Sequence, residues 1–142
     1  MGRETRRAGL LLAAIAAVGV LISLYLTWTK LSGTPAVCGP LGGCETVEAS
    51  EYSQILGIPT AAFGIGYSGV MTLLGLAWWR AGDRRALLAG YALGLAGILV
   101  EIFLVYLQLF VIHAICVWCM GYGLTIVLGW LVAVVALRRS PA

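Results

Sequence analysis

The sequence predicts an all-α membrane protein built as a bundle of four transmembrane helices. Of its 142 residues, 61% are hydrophobic and 11% are charged, and a soluble domain of this length has no core large enough to hide so much apolar surface. Four apolar stretches reach the roughly 20 residues that a helix needs to cross a hydrocarbon core about 30 Å thick. Helices are expected because lipid offers no partner to an unpaired backbone group.

The four spans leave room for one membrane domain over residues 1–142, with a single sizeable loop at about 30–58. The first span follows the basic segment MGRETRR. It is longer than the apolar part of a secretory signal and no small-residue cleavage site follows, so we interpret it as a retained helix. The second begins at a proline, whose missing N–H costs little in a first helical turn. The predicted spans are about Gly9–Trp28, Pro59–Trp79, Ala86–Ile112 and Cys116–Leu137.

Basic residues predict the orientation of these spans. Eight arginines lie before span one, between spans two and three, or after span four, whereas Lys30 lies at the opposite ends. The positive-inside rule then places both termini in the cytoplasm. The 30–58 loop and the turn before Cys116 are expected on the extracytoplasmic side of a cell (inner) membrane. Because insertion explains the arginines, the net charge of +3 does not indicate a nucleic-acid partner.

The outer loop holds two cysteines around a turn, followed by a segment of helical composition. In CGPLGGC, glycine and proline let the chain reverse, so that Cys38 and Cys44 can come within the range of a disulfide. The next segment, ETVEASEYSQIL, has no helix breaker and mixes acidic with apolar residues. We therefore expect a short helix that lies on the membrane surface and caps the bundle.

Span four opens with CVWC, which places two cysteines at i and i+3 on one helix face. The partial positive charge of a helix N-terminus stabilises a thiolate, and a CxxC pair at that position has a lowered thiol pKa. Cys116 and Cys119 are therefore candidates for an exchange-active pair at the lipid–water boundary. All four cysteines are predicted to face an oxidising compartment, which favours disulfide chemistry.

Two other uses of the four cysteines are open at this point. Zinc is disfavoured because C-x5-C is wider than the spacing of about two to four residues usual in zinc sites, and because the compartment is oxidising. Two inert structural disulfides are the stronger alternative, in a membrane subunit that is not an enzyme. Against it, an i, i+3 bridge closes too small a loop to constrain the chain much.

The chain resembles the vitamin K epoxide reductase family in its bacterial form. The matching features are C-x5-C in the first outer loop, Ser50 in SEYSQILGIP, AAFG entering span two and CVWC opening span four. Their order and spacing cover nearly the whole chain. A DsbB-like quinone oxidase is the nearest other four-span enzyme, but that family places CxxC in the first outer loop and the wider pair in the second.

The resemblance implies a quinone-linked oxidoreductase that generates disulfides. It implies that Cys119 is the cysteine that meets the quinone, and that Cys116 is the disulfide partner of Cys119. Cys44 would exchange with Cys116, and Cys38 would be attacked by a reduced partner protein, with Ser50 beside the active cysteines. The implied partner is a separate thioredoxin-fold (DsbA-like) protein, since no such segment follows span four within the 142 residues. The implied acceptor is menaquinone or ubiquinone, and no metal is implied.

Candidate quinone contacts depart from those of the animal members of that family. Thr60 stands where animal members have an asparagine, and its hydroxyl has a shorter reach. Gly123 stands where they have a tyrosine, whereas Tyr122 is one residue short, a rotation of about 100° around a helix. Since a quinone needs an apolar pocket with a few donors, Thr60, Tyr122 and Trp118 are candidate donors and Phe63 a candidate packing surface. Plain packing or anchoring at the membrane interface is the alternative for each.

Glu101 is the only carboxylate within a predicted span. It lies 15 residues past Ala86, or about 22 Å of helix rise, and therefore near the middle of the membrane. Such residues are costly and are candidates for function. One hypothesis is a proton relay for quinone reduction, and the favoured alternative is a protonated side chain hydrogen-bonded between helices. His113, just before CVWC, either stabilises a thiolate at Cys116 or is simply exposed at the interface.

Overall fold

The computed structural model describes residues 3–32, 54–55, 58–113 and 117–139, and its main elements are four long helices. Six residues, Leu107–Ile112, continue the third helix as a π-helical segment. The four helices are α1 at Arg3–Ser32, α2 at Thr60–Ala81, α3 at Arg84–Tyr106 and α4 at Val117–Arg139. All four, α3 together with its π-helical continuation, are long and apolar enough to cross a membrane. The predicted all-α membrane bundle is confirmed.

The helices are longer than the apolar stretches that predicted them. α1 already begins at Arg3 and ends at Ser32, so Lys30 belongs to its last turn rather than to the outer loop. α4 likewise continues to Arg139. Long basic side chains explain the extension, because their stems cover apolar surface while their charged ends reach interfacial water.

The predicted surface helix over ETVEASEYSQIL is wrong at its C-terminal end. Gln54–Ile55 form a short strand, β1, that pairs antiparallel with β2 at Ile58–Pro59. The sequence of the link is Leu56-Gly57, and glycine in a two-residue link is typical of tight hairpins. The rest of the predicted cap, residues 45–53, lies outside the part of the chain that the structure describes.

The helices pack as a closed ring in chain order. α1 packs against α2 and α4, and α3 packs against the same two helices. The backbones of α1 and α2 touch directly at a pair of glycines. A Cβ added to Gly75 would lie 2.7 Å from the carbonyl oxygen of Gly9, and a Cβ added to Gly9 would lie 2.7 Å from that of Gly75. Small residues permit this approach, and close packing is the main force between helices in lipid.

Arginines gather at one end of the bundle, where α2 turns into α3. Gly82 has a left-handed φ of 64° and ends α2, and the Asp83 side chain accepts a hydrogen bond from the amide of Arg85 at 2.9 Å. Arg6 of α1 donates from Nε to the carbonyl oxygen of Trp79 at 3.1 Å and from its guanidinium to the next carbonyl. These bonds satisfy carbonyls that the end of a helix leaves open.

A buried cluster joins all four helices near that end. Trp78 and Leu87 are fully buried and pack with Ala136 of α4, and Ala8 of α1 and Leu137 of α4 lie against them. The N-terminal part of α1 and the C-terminal part of α4 are therefore neighbours. We call this the basic end. The opposite end holds the first turns of α2 and α4 and the last turns of α1. Which end faces the cytoplasm stays a prediction.

Candidate functional site

Cys119 lies in the first turn of α4, at the end of the bundle opposite to the arginines. Its side chain is half-buried and packs, with Trp118, against a cluster centred on Leu26 of α1. Ala61, in the first turn of α2, belongs to the same cluster. The thiol therefore stands at the positive end of a helix dipole and in apolar surroundings. Its predicted partner Cys116 lies just outside the described residues.

Aromatic rings form the α1 side of this cluster. The ring of Tyr25 lies 4.8 Å from that of Trp118, centroid to centroid, at an interplanar angle of 47°. Trp28 lies 6.4 Å from Tyr25 and is 58% exposed. Tilted contacts of this kind add to the stabilisation that apolar packing provides. They fix the tryptophan between the two cysteines of CVWC against α1.

Tyr122 lies one turn beyond Cys119 and is tied to α2. Its hydroxyl donates a hydrogen bond to the carbonyl oxygen of Gly64 at 2.8 Å and accepts one from the Ser68 hydroxyl at 2.9 Å. Gly64 has no side chain at the point where the Tyr122 ring and the Ser23 hydroxyl approach it. The single proton of the Tyr122 hydroxyl is thus engaged in the hydrogen bond from α4 to α2. A role for Tyr122 in quinone binding stays a prediction.

Tyr122→Phe is expected to lower the free energy of unfolding by about 1 kcal/mol, because the Ser68 hydroxyl and the Gly64 carbonyl lose a buried partner. The measurement is a denaturant titration in detergent, followed by helical circular dichroism. Tyr91→Phe is the matched control. The Tyr91 ring packs 6.0 Å from that of Trp130, and no hydrogen bond to its hydroxyl is present among the described residues. Equal losses in the two variants would contradict the role given to the Tyr122 hydroxyl.

Glu101 is brought close to this site by α3. It is 9% exposed, and its carboxyl group packs against Gly123 of α4, the residue after Tyr122. A Cβ on Gly123 would lie 2.6 Å from the carboxyl carbon. The position at which the resemblance to animal members leads us to expect a tyrosine is therefore covered here by a carboxyl group from another helix.

The remaining predicted residues divide between the site and the undescribed segments. Thr60 is the first residue of α2 and lies at the same end as Cys119. Phe63 is 48% exposed and does not join the cluster around Leu26. His113 ends the π-helical segment with a left-handed φ of 58° and is exposed. The predicted site residues outside the described part of the chain are Cys38, Cys44, Ser50 and Cys116.

Small polar residues at the centre of the bundle were missed by the sequence reasoning. Ser23 and Ser68 are each 2% exposed, and the hydroxyls of Ser68 and Thr125 both lie against Gly19 of α1. Tyr67, Ser68 and Thr125 border a small cavity with room for about one water molecule. The signal was present in span two, where Gly64, Ser68 and Thr72 recur every four residues and therefore share a helix face.

Comparison with known families agrees with this arrangement. Residues 10–134, which include all four cysteines and most of each span, match the Vitamin K epoxide reductase family. Among the residues that the structure describes, no group of three or more His, Cys, Asp or Glu side chains is placed to hold a metal ion. Three of the four cysteines lie outside those residues, so the absence of a metal stays a prediction.

Proposed function

Because the chain belongs to the vitamin K epoxide reductase family, we propose that it is a quinone-dependent thiol oxidoreductase that supports disulfide bond formation. Membership of the family supports an oxidoreductase linked to a quinone in general. In the proposal, Cys38 and Cys44 oxidise a separate thioredoxin-fold (DsbA-like) protein. Cys116 and Cys119 receive the electrons and pass them to menaquinone or ubiquinone in the membrane.

Electrons and protons balance in this sequence of steps. A partner thiolate attacks the loop disulfide at Cys38, and the resulting mixed disulfide is resolved as the partner becomes oxidised. Cys44 then exchanges with the Cys116–Cys119 disulfide, which becomes a dithiol. The dithiol gives two electrons and two protons to the quinone, so one S–S bond forms and the quinone becomes a hydroquinone. The direction follows the relative reduction potentials of the pairs.

The placement of Cys119 is the observation that carries the proposal. The thiol is half-buried among Leu26, Ala61 and Trp118, at the start of a helix long enough to cross the membrane. A thiol in that position is deep enough to meet a lipid-soluble acceptor. A soluble partner protein needs a pair in water, and the predicted outer loop supplies one. Two pairs are then required, one for each kind of reactant.

The quinone site is proposed at the same end of the bundle. Thr60 offers a hydroxyl at the start of α2, and the half-exposed ring of Phe63 offers an apolar face one turn further on. Tyr122, which is held to α2 by its hydrogen bond to Gly64, is proposed as the inner boundary of the site. Ser50 is proposed beside the active cysteines. The whole site is proposed on the extracytoplasmic side of the inner membrane, because the arginines gather at the other end of the bundle.

The test is quinone reduction by the purified protein in detergent, with a reduced thioredoxin-fold protein as the electron donor. Cys119→Ala is expected to abolish turnover, because no other thiol of the chain is proposed to meet the quinone. Met120→Leu is the matched control. It changes the next residue of α4 to one of similar volume and is expected to keep the wild-type rate.

Trapping the mixed disulfide with the partner protein shows which of the two cysteine pairs reacts with it first. With a donor protein that lacks its own second cysteine, the mixed disulfide is expected to accumulate on Cys38, because the partner thiol that would resolve it is gone. Capture on Cys116 instead would indicate the order of a DsbB-like oxidase. If no quinone is reduced and neither pair reacts with partner thiols, the chain is a membrane subunit with structural disulfides and the proposal is overturned.

A further inference from the structure

Glu101 is a buried carboxyl group in the membrane-spanning part of α3 that the electron relay does not use. It is 9% exposed, and within the described residues its carboxyl group has neither a hydrogen bond nor a basic partner. An ionised carboxyl group is costly to bury without a partner, and we take the neutral form as the resting state. The hydrogen bond between helices expected from the sequence is not seen in the described part. A neutral carboxyl group can both donate and accept a proton.

The carboxyl group lies on the face of α4 that carries Cys119. It packs against Gly123, which is four residues after Cys119. Four residues correspond to about 6 Å along the helix axis and to a rotation of only about 40°. Because Gly123 has no side chain, the Glu101 carboxyl group can lie directly against the backbone of α4. The carboxyl group is thus one turn from the thiol.

The titratable groups around Glu101 come from the two helices that pack against α3. Tyr67 of α2 contacts Gly97, one turn before Glu101 on α3, and its hydroxyl has no hydrogen-bond partner among the described residues. On α4 the neighbours are Tyr122 and Cys119. Tyr25 is the titratable residue in the apolar part of α1, and it packs against Trp118 instead. Within the described ranges, no arginine, lysine or histidine of these helices pairs with the carboxyl group.

We propose that Glu101 relays the proton of Cys119 during quinone reduction. The carboxyl O–H gives its proton towards the quinone oxygen as the electrons arrive, and the other carboxyl oxygen takes the proton that the Cys119 thiol loses. One S–H bond breaks, one O–H bond forms on the quinone, and Glu101 returns to its neutral form. The second proton comes from Cys116. The relay rests on the proposed function, and it keeps the transferred proton inside the bundle.

The first arm of the test measures single-turnover quinone reduction by the pre-reduced protein. Glu101→Gln keeps the size of the side chain but cannot carry the proton. We expect it to slow the reaction by about 100-fold, the effect typical of losing a proton-transfer group, and to change its solvent isotope effect. Glu101→Asp keeps a carboxyl group and is expected to restore part of the rate. Thr72→Val is the control, because the Thr72 hydroxyl bonds only within α2, to the Ser68 carbonyl at 2.8 Å.

The second arm of the test needs no quinone and measures the reactivity of the Cys119 thiol directly. In a background of Cys38→Ala, Cys44→Ala and Cys116→Ala, the rate of Cys119 alkylation by iodoacetamide is measured against pH. Coupled groups titrate in two steps, so we expect a two-step profile with Glu101 and a single step with Glu101→Gln. Identical profiles, or an unchanged single-turnover rate, would overturn the relay and leave Glu101 with a structural role. If the wild type reduces no quinone, the proposed function fails, and the alkylation profile still decides whether Glu101 and Cys119 are coupled.

Discussion

Gly75→Ala is expected to separate α1 from α2 and to cost the protein about 3 kcal/mol of unfolding free energy, the upper range for overpacking a close contact. An added methyl group at Gly75 meets the carbonyl oxygen of Gly9 at 2.7 Å and the amide nitrogen of Ala13 at 2.8 Å. Both are backbone atoms, so no side chain can rotate away to make room. The measurement is a denaturant titration in detergent monitored by helical circular dichroism.

Gly69→Ala is the matched control, because a Cβ at that position of the same helix meets nothing within 4 Å. It is expected to leave stability unchanged or to raise it slightly, since alanine has the higher helix propensity. If both alanine variants unfolded at the same denaturant concentration, the contact between the two backbones would not be what holds α1 to α2.

Gly123→Ala is expected to have the second large effect, because the new methyl group claims the space of the Glu101 carboxyl group. The Glu101 side chain has to take another rotamer in a packed interior, which costs about 2 kcal/mol of unfolding free energy. The displaced carboxyl group also leaves the face that carries Cys119. We therefore expect the alkylation profile of Cys119 to become that of Glu101→Gln. Denaturant titration and alkylation measure the two effects separately.

Two further variants control this experiment. Gly121→Ala lies on the same helix, and its methyl group would meet only the Ile22 side chain at 3.8 Å, an ordinary contact. It is expected to have little effect on either readout. Glu101→Ala in the Gly123→Ala background frees the contested space and is expected to recover stability. Without that recovery, the loss in Gly123→Ala arises somewhere other than at Glu101.

The sequence was sufficient for the four spans and for the collection of basic residues at one end. Both follow from length, hydropathy and the position of arginines, which are properties of the chain itself. The ends of the helices were not predictable in this way. α1 continues past the apolar stretch through Lys30, because snorkelling lets a charged residue remain helical at the interface. The strand at Gln54–Ile55 was predicted as helix, because the prediction considered the composition of residues 45–56 and not the glycine that follows at position 57.

For the candidate site, a motif was enough to propose Cys119, whereas the contacts between helices could not be predicted. CVWC pointed to Cys119, and helix periodicity put Tyr122 about one turn away. The sequence of one helix does not identify the residues of another helix that will pack against it. The bond from Tyr122 to Gly64 and the packing of Glu101 on Gly123 join residues that are distant in sequence. Glycine marks these positions only after the partner helix is known, because its role there is to leave space.

The closed ring of helices also determines where an attached domain would sit. Ala8 and Leu137 lie against one buried cluster, so the start of α1 and the end of α4 are adjacent. An even number of crossings returns the chain to the side from which it started. A domain joined to either end would therefore lie across the bilayer from Cys119, which is about 30 Å of helix rise from Arg139 at the other end of α4. A reducing domain tethered there reaches the thiols only if the tether itself crosses the membrane once more. A domain that diffuses freely on the side of Cys119 needs no additional crossing.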